Sequence, residues 1–260
     1  MTTRNTTTYL FLFLLSLLSV LSLGQASPVE RQPSILITGA NRGLGLELCK
    51  QYLQAGYTVY GTARKPEKAE ELNATEAIVL PLDVTSEESI SALAKALEGK
   101  PLDILINNAG YFGPNSIGTP QHQLHNITRK EIELCHAVNT MGPVFVAQAL
   151  LPNIQIGDMK KIINMSSRSA MLSRRGGGAM GCRMSKAGLN MVTVVLSSQL
   201  KGQGIIVASV APGHNKTDMG SERGQLLPSQ SMPMLQKVIN DLTMKQSGGF
   251  WYYDGTRLPW

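Results

Sequence analysis

Short runs of apolar residues alternate along the chain with stretches whose apolar positions recur at helical spacing. The first run begins at Ser34 and ends at Gly39, and such a run is typical of a strand buried on both faces of a parallel sheet. Leu46 and Leu48 open a helical pattern that Gly56 breaks. The patterning predicts further strands over residues 57–64, 77–84, 102–110, 160–167 and 205–213, and helices over residues 86–97, 129–152 and 185–204.

This alternation predicts βαβ units, and therefore an α/β fold of the Rossmann type with a doubly wound parallel sheet. A chain of 260 residues can bury one large core, so we expect a single domain over residues 27–260. Residues 111–128 and 214–233 show no regular pattern. Both segments follow predicted strands, and loops at the carboxyl ends of parallel strands hold ligands in such folds.

The amino terminus has the order of regions found in a secretory signal peptide. Arg4 precedes an apolar run over residues 9–23, followed by the small residues Gly24 and Ala26. The run is shorter than the roughly 20 residues that a spanning helix needs, which favours cleavage over a retained anchor or another targeting signal. We expect residues 1–26 to be removed and a secreted protein without a membrane span to result, with a cytoplasmic location if the leader is unused.

The charge balance is mildly basic, at a formal +6 that falls by one when Arg4 leaves with the leader. Basic pairs such as Lys160–Lys161 are short and lack interleaved aromatic residues, so we expect no nucleic-acid partner. The chain has 3 cysteines and no CxxC spacing. No disulfide framework is therefore predicted. So few cysteines are typical of proteins in reduced compartments, which fits poorly with a secretory leader. His122 and His125 lack further ligands, so we predict no metal site.

A glycine-rich turn spans residues 38–45, between the first predicted strand and its helix. Glycines there permit a tight turn and let a pyrophosphate reach N–H groups at the helix amino terminus. The second strand ends in Ala63-Arg64, without the carboxylate that binds the ribose of NAD and repels the 2′-phosphate of NADP. Unless Arg64 is only a surface charge, it and Arg42 suit that phosphate, and we predict NADP as the cofactor.

Further short motifs follow the turn in order. They are TGANRGLG at residues 38–45, DV at 83–84, NNAG at 107–110, Asn139, MSS at 165–167, SK at 185–186, PG at 212–213 and TDM at 217–219. In this order and spacing the chain resembles the short-chain dehydrogenase/reductase superfamily over essentially everything after residue 33. The carboxyl-terminal GGFWYYDGTRLPW resembles the branch with bacterial C-factor proteins and sniffer-type carbonyl reductases.

The resemblance implies roles for the matching residues. Ser167 would orient a substrate carbonyl, Lys186 would bind the nicotinamide ribose and lower the pKa of a tyrosine, and Asn139 would support a water-mediated proton path. Contacts to the cofactor would fall on Gly39, Arg42, Gly43, Leu44, Arg64, Asp83, Val84, Asn108, Ala109, Gly110, Lys186, Pro212, Gly213 and Thr217. The implied activity is NADP(H)-dependent hydride transfer to a small-molecule carbonyl substrate, in a monomer or a homo-oligomer.

The sequence departs from the family pattern at the proton donor. The pattern is Tyr-x-x-x-Lys, and Cys182 stands four residues before Lys186 with no tyrosine between Ser167 and Lys186. We expect Lys186 to lower the thiol pKa, but the short side chain falls short of where a phenol oxygen would sit. Asn215 is a second departure, because the family usually has an apolar residue there.

Three interpretations of Cys182 stay open. The first is a carbonyl reductase in which Cys182 or a water manages the proton, with altered or impaired proton donation. The second is a pseudoenzyme that keeps the NADP(H) site and acts as a sensor or binding partner. The third is a nucleophilic catalyst in which Cys182 forms a covalent adduct with an electrophilic substrate.

Overall fold

A computed structural model describes residues 31–113, 124–220 and 223–260. Eight strands in these residues form one sheet, in the order β3-β2-β1-β4-β5-β6-β7-β8. All neighbouring strands are parallel except β8, which runs antiparallel to β7. They are β1 (Ser34–Ile37), β2 (Thr58–Ala63), β3 (Ile78–Pro81), β4 (Ile104–Asn107), β5 (Lys161–Met165), β6 (Ile206–Ala211), β7 (Phe250–Tyr252) and β8 (Arg257–Leu258).

Helices connect the parallel strands. They are α1 (Gly43–Gln54), α2 (Glu70–Asn73), α3 (Glu87–Ala96), α4 (Arg129–His136), α5 (Gly142–Ala149), α6 (Leu151–Gln155), α7 (Met180–Leu200) and α8 (Pro228–Asp241). A π-helical segment, Ala137–Met141, joins α4 to α5, and 3-10 turns occur at Pro66–Lys68, Arg168–Ala170, Lys201–Gln203 and Met244–Gln246. The strand order reverses between β1 and β4, so the sheet is doubly wound.

The core lies on both faces of the sheet. Ile35 and Ile37 of β1 belong to a buried cluster that includes Leu48 of α1 and Leu235 of α8. Leu36 points to the opposite face, where a second cluster is formed with residues of α3 and α5. Burial on both faces explains why the strands read as continuous apolar runs. The predicted α/β fold with a doubly wound parallel sheet in one domain is confirmed.

The predicted helix over residues 129–152 was wrong as a single element. It is divided into α4, the π-helical segment, α5 and α6. Pro143 lies in the first turn of α5 and has no N–H to donate, which interrupts the regular hydrogen-bond ladder. The wider π-helical turn at this point carries Asn139, whose side chain is directed into the protein.

Two further boundaries also differ from the prediction. Residues 228–233 were expected to be irregular but open α8, because Pro228 suits the first helical position and Met232, Leu235 and Ile239 bury one face of the helix. Helix α7 begins at Met180 rather than at residue 185, because its first residues show no apolar periodicity by which the sequence could mark them.

Some predictions concern residues that the structure does not describe. The leader, residues 1–26, and His122 lie outside the described residues. Cleavage and secretion therefore stay predictions. Within residues 31–113, 124–220 and 223–260, no helix is long and apolar enough to cross a membrane.

Candidate active site

The glycine-rich turn is locked to the end of β4. Gly39 adopts φ +63°, and a Cβ there would lie 2.9 Å from the Ala109 Cα, so only glycine fits this close approach. The Thr38 hydroxyl oxygen accepts hydrogen bonds from the N–H groups of Asn108 (3.0 Å) and Ala109 (2.9 Å). The Asn108 amide donates back to the carbonyl oxygens of Thr38 and Gly39. Asn108 and Ala109 thus hold the glycine-rich turn in place. Thr38, which supplies the hydroxyl for these contacts, was not predicted as a site residue.

The amino terminus of α1 is open to an anion. Arg42 is its N-cap residue and makes no side-chain cap hydrogen bond. Gly43 has φ +58°, and the nearest atom to a Cβ there is the Thr217 methyl group at 3.6 Å. Leu44, in the first turn of α1, packs its side chain against the core, so only its backbone faces the glycine-rich turn. The first-turn N–H groups and the helix dipole together favour a phosphate at this end.

Arg42 also pairs with a residue of the loop after β6. Its guanidinium donates to Asp218 at 2.7 Å, and the two side chains are 68% and 75% exposed. Because both groups are exposed, the pair adds little to stability. It does connect the glycine-rich turn with the loop that carries Thr217.

The ends of β2 and β3 bring charged groups together. Arg64 is exposed after the buried Ala63. Burial works to raise the pKa of Asp83, but hydrogen bonds from Thr85 and the charge of Arg64 outweigh it and leave that pKa below its ordinary value. Val84 is buried against α5, where a Cβ on Gly142 would lie only 2.9 Å from the Val84 Cβ.

Asn139 ties the loop after β4 to α7. It is fully buried in the π-helical segment. Its Oδ1 accepts from the Tyr111 N–H at 2.8 Å, and its Nδ2 donates to the Tyr111 carbonyl oxygen at 2.7 Å and to the Ser185 hydroxyl at 3.0 Å. Gly110 lies beside the same amide, since a Cβ there would be 3.5 Å from Oδ1. Asn139 therefore sets the position of the α7 turn that carries Lys186.

Lys186 is 8% exposed, and its ammonium donates to the Met165 carbonyl oxygen at 2.6 Å. Burial lowers the pKa of Lys186 to about 8, although the neighbouring Cys182 and Cys135 thiols oppose the shift. Ser167 lies two residues beyond Met165. Its hydroxyl oxygen accepts from the Ser169 N–H at 3.2 Å and the Ser169 hydroxyl at 2.9 Å, which leaves its own proton for donation.

Cys182 lies in the first turn of α7 and is 7% exposed. Burial raises the pKa of its thiol, and the charges of Lys186 and Arg183 only partly oppose this. The charge of Lys186 acts to lower this pKa as expected, but desolvation of the thiolate outweighs it, so the net shift is upward. Cys135 lies close by, since a Cβ on Gly181 would be 3.0 Å from its Sγ. Burial raises the pKa of Cys135 to about 12.

The loop after β6 completes the site. Gly213 adopts φ +85°, and a Cβ there would meet the Leu226 methyl group at 2.8 Å and the Tyr253 ring at 3.1 Å. The buried Asn215 donates to the Pro212 carbonyl oxygen at 2.8 Å and accepts from the Ser231 hydroxyl. Asn215 therefore links this loop to α8 through buried hydrogen bonds, at a position where the family usually has an apolar residue.

The structure brings the predicted residues to one edge of the sheet. They follow the carboxyl ends of β1, β2, β3, β4, β5 and β6 or lie on the helical segments that connect these strands. Cys135 and Tyr253 were missed as neighbours of the site. Cys135 is far from Cys182 in the sequence, so no local pattern indicates their proximity. Tyr253 belongs to the carboxyl-terminal segment, whose sequence indicated a family branch but no site residue.

Known proteins are similar to this chain in sequence and in fold. C-signal of Myxococcus xanthus is 34% identical over 161 residues, which cover 62% of this chain and 93% of that protein. Carbonyl reductase Sniffer of D. melanogaster is 33% identical, with a TM-score of 0.81 over 88% of this chain and 100% of that chain. The NADPH-bound carbonyl reductase from chicken fatty liver is 31% identical, with a TM-score of 0.78 at the same coverage.

The family comparison agrees with these similarities. Residues 33–226 match the family described as short chain dehydrogenase. The match covers the glycine-rich turn, Asn139, Ser167, Lys186 and the loop that begins at Pro212. This chain belongs to the short chain dehydrogenase family.

Proposed function

We propose that this protein is an NADP(H)-dependent oxidoreductase that reduces a small carbonyl compound. The observation that carries the proposal is the hydrogen bond from the buried Lys186 to Met165. It brings an ammonium group to the strand end that also presents the Ser167 hydroxyl. A hydroxyl and an ammonium group close together can donate hydrogen bonds to a carbonyl oxygen and stabilise the negative charge that develops on it during reduction.

The residues present fit NADP(H). The open amino terminus of α1 and the positive-φ glycines Gly39 and Gly43 form a cradle for a pyrophosphate. Arg64 and Arg42 would hold the 2′-phosphate, and the buried Ala63 puts no carboxylate in its way. When bound, NADPH supplies a hydride to the carbonyl carbon. The NADPH-bound chicken relative supports this choice of cofactor.

We propose that Lys186 takes over proton supply from the missing tyrosine, directly or through one water. Its pKa of about 8 keeps it mostly charged near neutral pH while leaving the proton easy to release. The Cys182 thiol is a weaker proton source, since burial raises its pKa. The same burial disfavours the thiolate that a covalent mechanism needs.

A test follows NADPH oxidation against a panel of aldehydes, ketones and quinones, with NADPH binding measured in parallel. We expect turnover of at least one member. We also expect Ser167→Ala to lower kcat by about 10²-fold, the usual cost of losing one donor to a developing oxyanion. Ser197→Ala is the matched control, because the Ser197 hydroxyl donates to the Val194 carbonyl oxygen within α7 and contacts no residue of the site. Tight NADPH binding without turnover of any member would refute the reductase.

The pseudoenzyme is the second candidate, and Cys182 favours it. The buried thiol lacks the reach and the pKa of the family's tyrosine, and losing a positioned acid costs about 10²- to 10⁴-fold in rate. In that case NADP(H) occupancy itself would be the signal to a binding partner. The same paired measurement separates the two functions.

A further inference from the structure

One part of the chain carries charge of a single sign. Between Asp158 and Asp218 the sequence contains no aspartate or glutamate. The segment from Ser166 to Lys186 contains Arg168, Arg174, Arg175 and Arg183 besides Lys186 itself. This is also the segment that carries Ser167 and Cys182. The positive charge is therefore concentrated where the proposed reaction takes place.

Three of these arginines lie on the loop after β5 or in the first turn of α7. Arg168 follows Ser167 directly, and Arg183 follows Cys182. The Arg183 guanidinium donates to the Arg174 carbonyl oxygen at 2.6 Å, which ties the loop before α7 to the first turn of that helix.

Arg168 lies against one aromatic side chain. The Arg168 guanidinium lies 4.5 Å from the centre of the Tyr252 ring. Burial raises the pKa of Tyr252, and the charges of Arg168 and Arg174 both oppose that shift. The positive charge of Arg174 thus adds to that of Arg168 near this phenol.

Few acidic groups balance this charge. Asp254 lies near Arg168, and the Asp254 carboxylate already accepts a hydrogen bond from the Thr256 N–H at 2.9 Å. In the described part of the chain, none of the three guanidinium groups forms an ion pair with a carboxylate. Guanidinium groups that form no ion pair among the described residues are available to an oxyanion, which they bind with two parallel hydrogen bonds.

The cofactor is not the anion that this cluster would hold. The phosphate cradle lies at β1 and α1, whereas the arginines follow β5 and border α7. Strand β4 separates β1 from β5 in the sheet. At about 4.8 Å between neighbouring strands, β1 and β5 are about 10 Å apart, so the two positive regions begin at different strand ends.

We propose that the carbonyl substrate of this protein carries an anionic group, a carboxylate or a phosphate, that is bound by Arg168, Arg174 and Arg183. The carbonyl group would then face Ser167 and Lys186. The inference rests on the proposed function, since it specifies the substrate of the same site.

The test compares three aldehydes of similar shape with the full chain and NADPH. They are 4-carboxybenzaldehyde, 4-formylphenyl phosphate and the neutral methyl 4-formylbenzoate. At low salt we expect kcat/KM for at least one anion to exceed that of the neutral ester by about tenfold, the effect of one charge-assisted hydrogen bond. The anionic aldehyde with the higher kcat/KM shows whether the site prefers a carboxylate or a phosphate. Added salt should reduce the ratio of anionic to neutral substrate.

Variants connect that ratio to the arginines. Arg168→Gln and Arg183→Gln should each reduce it at least about threefold. Arg257→Gln is the matched control, because Arg257 lies on β8 over Trp251 and is exposed. It should leave the ratio unchanged. A neutral ester reduced as well as both anions would overturn the anionic substrate and leave the proposed function intact.

A binding measurement keeps the inference testable if none of the aldehydes is turned over. The NADP⁺ complex is titrated calorimetrically with terephthalate, with phenyl phosphate and with dimethyl terephthalate. At least one anion should bind about tenfold more tightly than the neutral diester, and Arg168→Gln should remove the difference. Equal binding of all three compounds would refute the anion site. Anion binding without any turnover would refute only the reductase.

Discussion

Lys186 donates its hydrogen bond to Met165, two residues before Ser167 at the end of β5. The contact joins α7 to the central sheet. It also buries an ammonium group for which the described residues offer no second acceptor, and this burial lowers the pKa of Lys186 to about 8.

Activity should depend on pH through Lys186. If the ammonium form is the active one, kcat/KM is at its full value below the pKa of about 8 and falls about tenfold per pH unit above it. The pH profile of NADPH oxidation with a saturating cofactor measures this limb. Lys186→Arg keeps the charge but cannot release a proton, so it should lower the rate and remove the limb. A wild-type profile that stays flat to about pH 10 would contradict the role of Lys186.

Replacing Cys182 with tyrosine should restore a proton donor. A phenol beside Lys186 is expected to raise carbonyl reductase activity by about 10²-fold, the low end of a general acid's contribution. Cys182→Phe is the matched control, because it adds the same ring without the hydroxyl. Normal NADPH binding and an unchanged melting temperature would show that both variants fold.

The result also separates the mechanisms. If Cys182→Tyr binds NADPH normally and reduces nothing across a broad panel, the pseudoenzyme is supported. If Cys182→Ala abolishes an existing activity, the thiol itself takes part in the reaction.

Cofactor preference should reverse at Arg64. Arg64→Asp replaces attraction of the 2′-phosphate by repulsion and should raise the Kd for NADPH by at least about tenfold, while the Kd for NADH does not rise. Titration of both cofactors against the purified variant measures this. Lys65→Asp changes the charge equally at the next exposed position and should have a much smaller effect. Tighter binding of NADH than NADPH by the wild-type protein would refute the preference.

Asn139 should matter for stability as well as for activity. Asn139→Ala leaves the buried polar groups of Tyr111 and Ser185 without their partner, at a cost of about 1–3 kcal/mol in the free energy of unfolding. Urea unfolding measures this cost. Gln54→Ala, at an exposed position at the end of α1, should change stability by less than about 0.5 kcal/mol. If both variants lost the same free energy of unfolding, the buried hydrogen bonds of Asn139 would contribute no more to stability than an exposed amide side chain.

Much of the fold could be predicted from local patterns. Strands buried on both faces require continuous apolar runs, and glycine at residue 39 is required by a turn that approaches Ala109 closely. The apolar runs lie within single strands and the glycines within one turn, so the sequence displays both patterns, although the partner Ala109 is distant from Gly39 in the chain. The division of the helix after residue 129 was not visible, because the π-helical segment serves the distant partners Tyr111 and Ser185 of Asn139.

The α/β fold class, the position of the nucleotide-binding turn and the presence of Cys182 where the family has tyrosine all follow from the order of residues in the chain. How these groups behave chemically depends on their packing in the folded protein. Cys182 and Lys186 are four residues apart in the sequence, but the direction of their pKa shifts depends on how much water each has lost and on Cys135, which comes from another helix. Desolvation is a property of the packed protein rather than of any segment, so no local pattern could reveal that burial outweighs the attraction between these two groups.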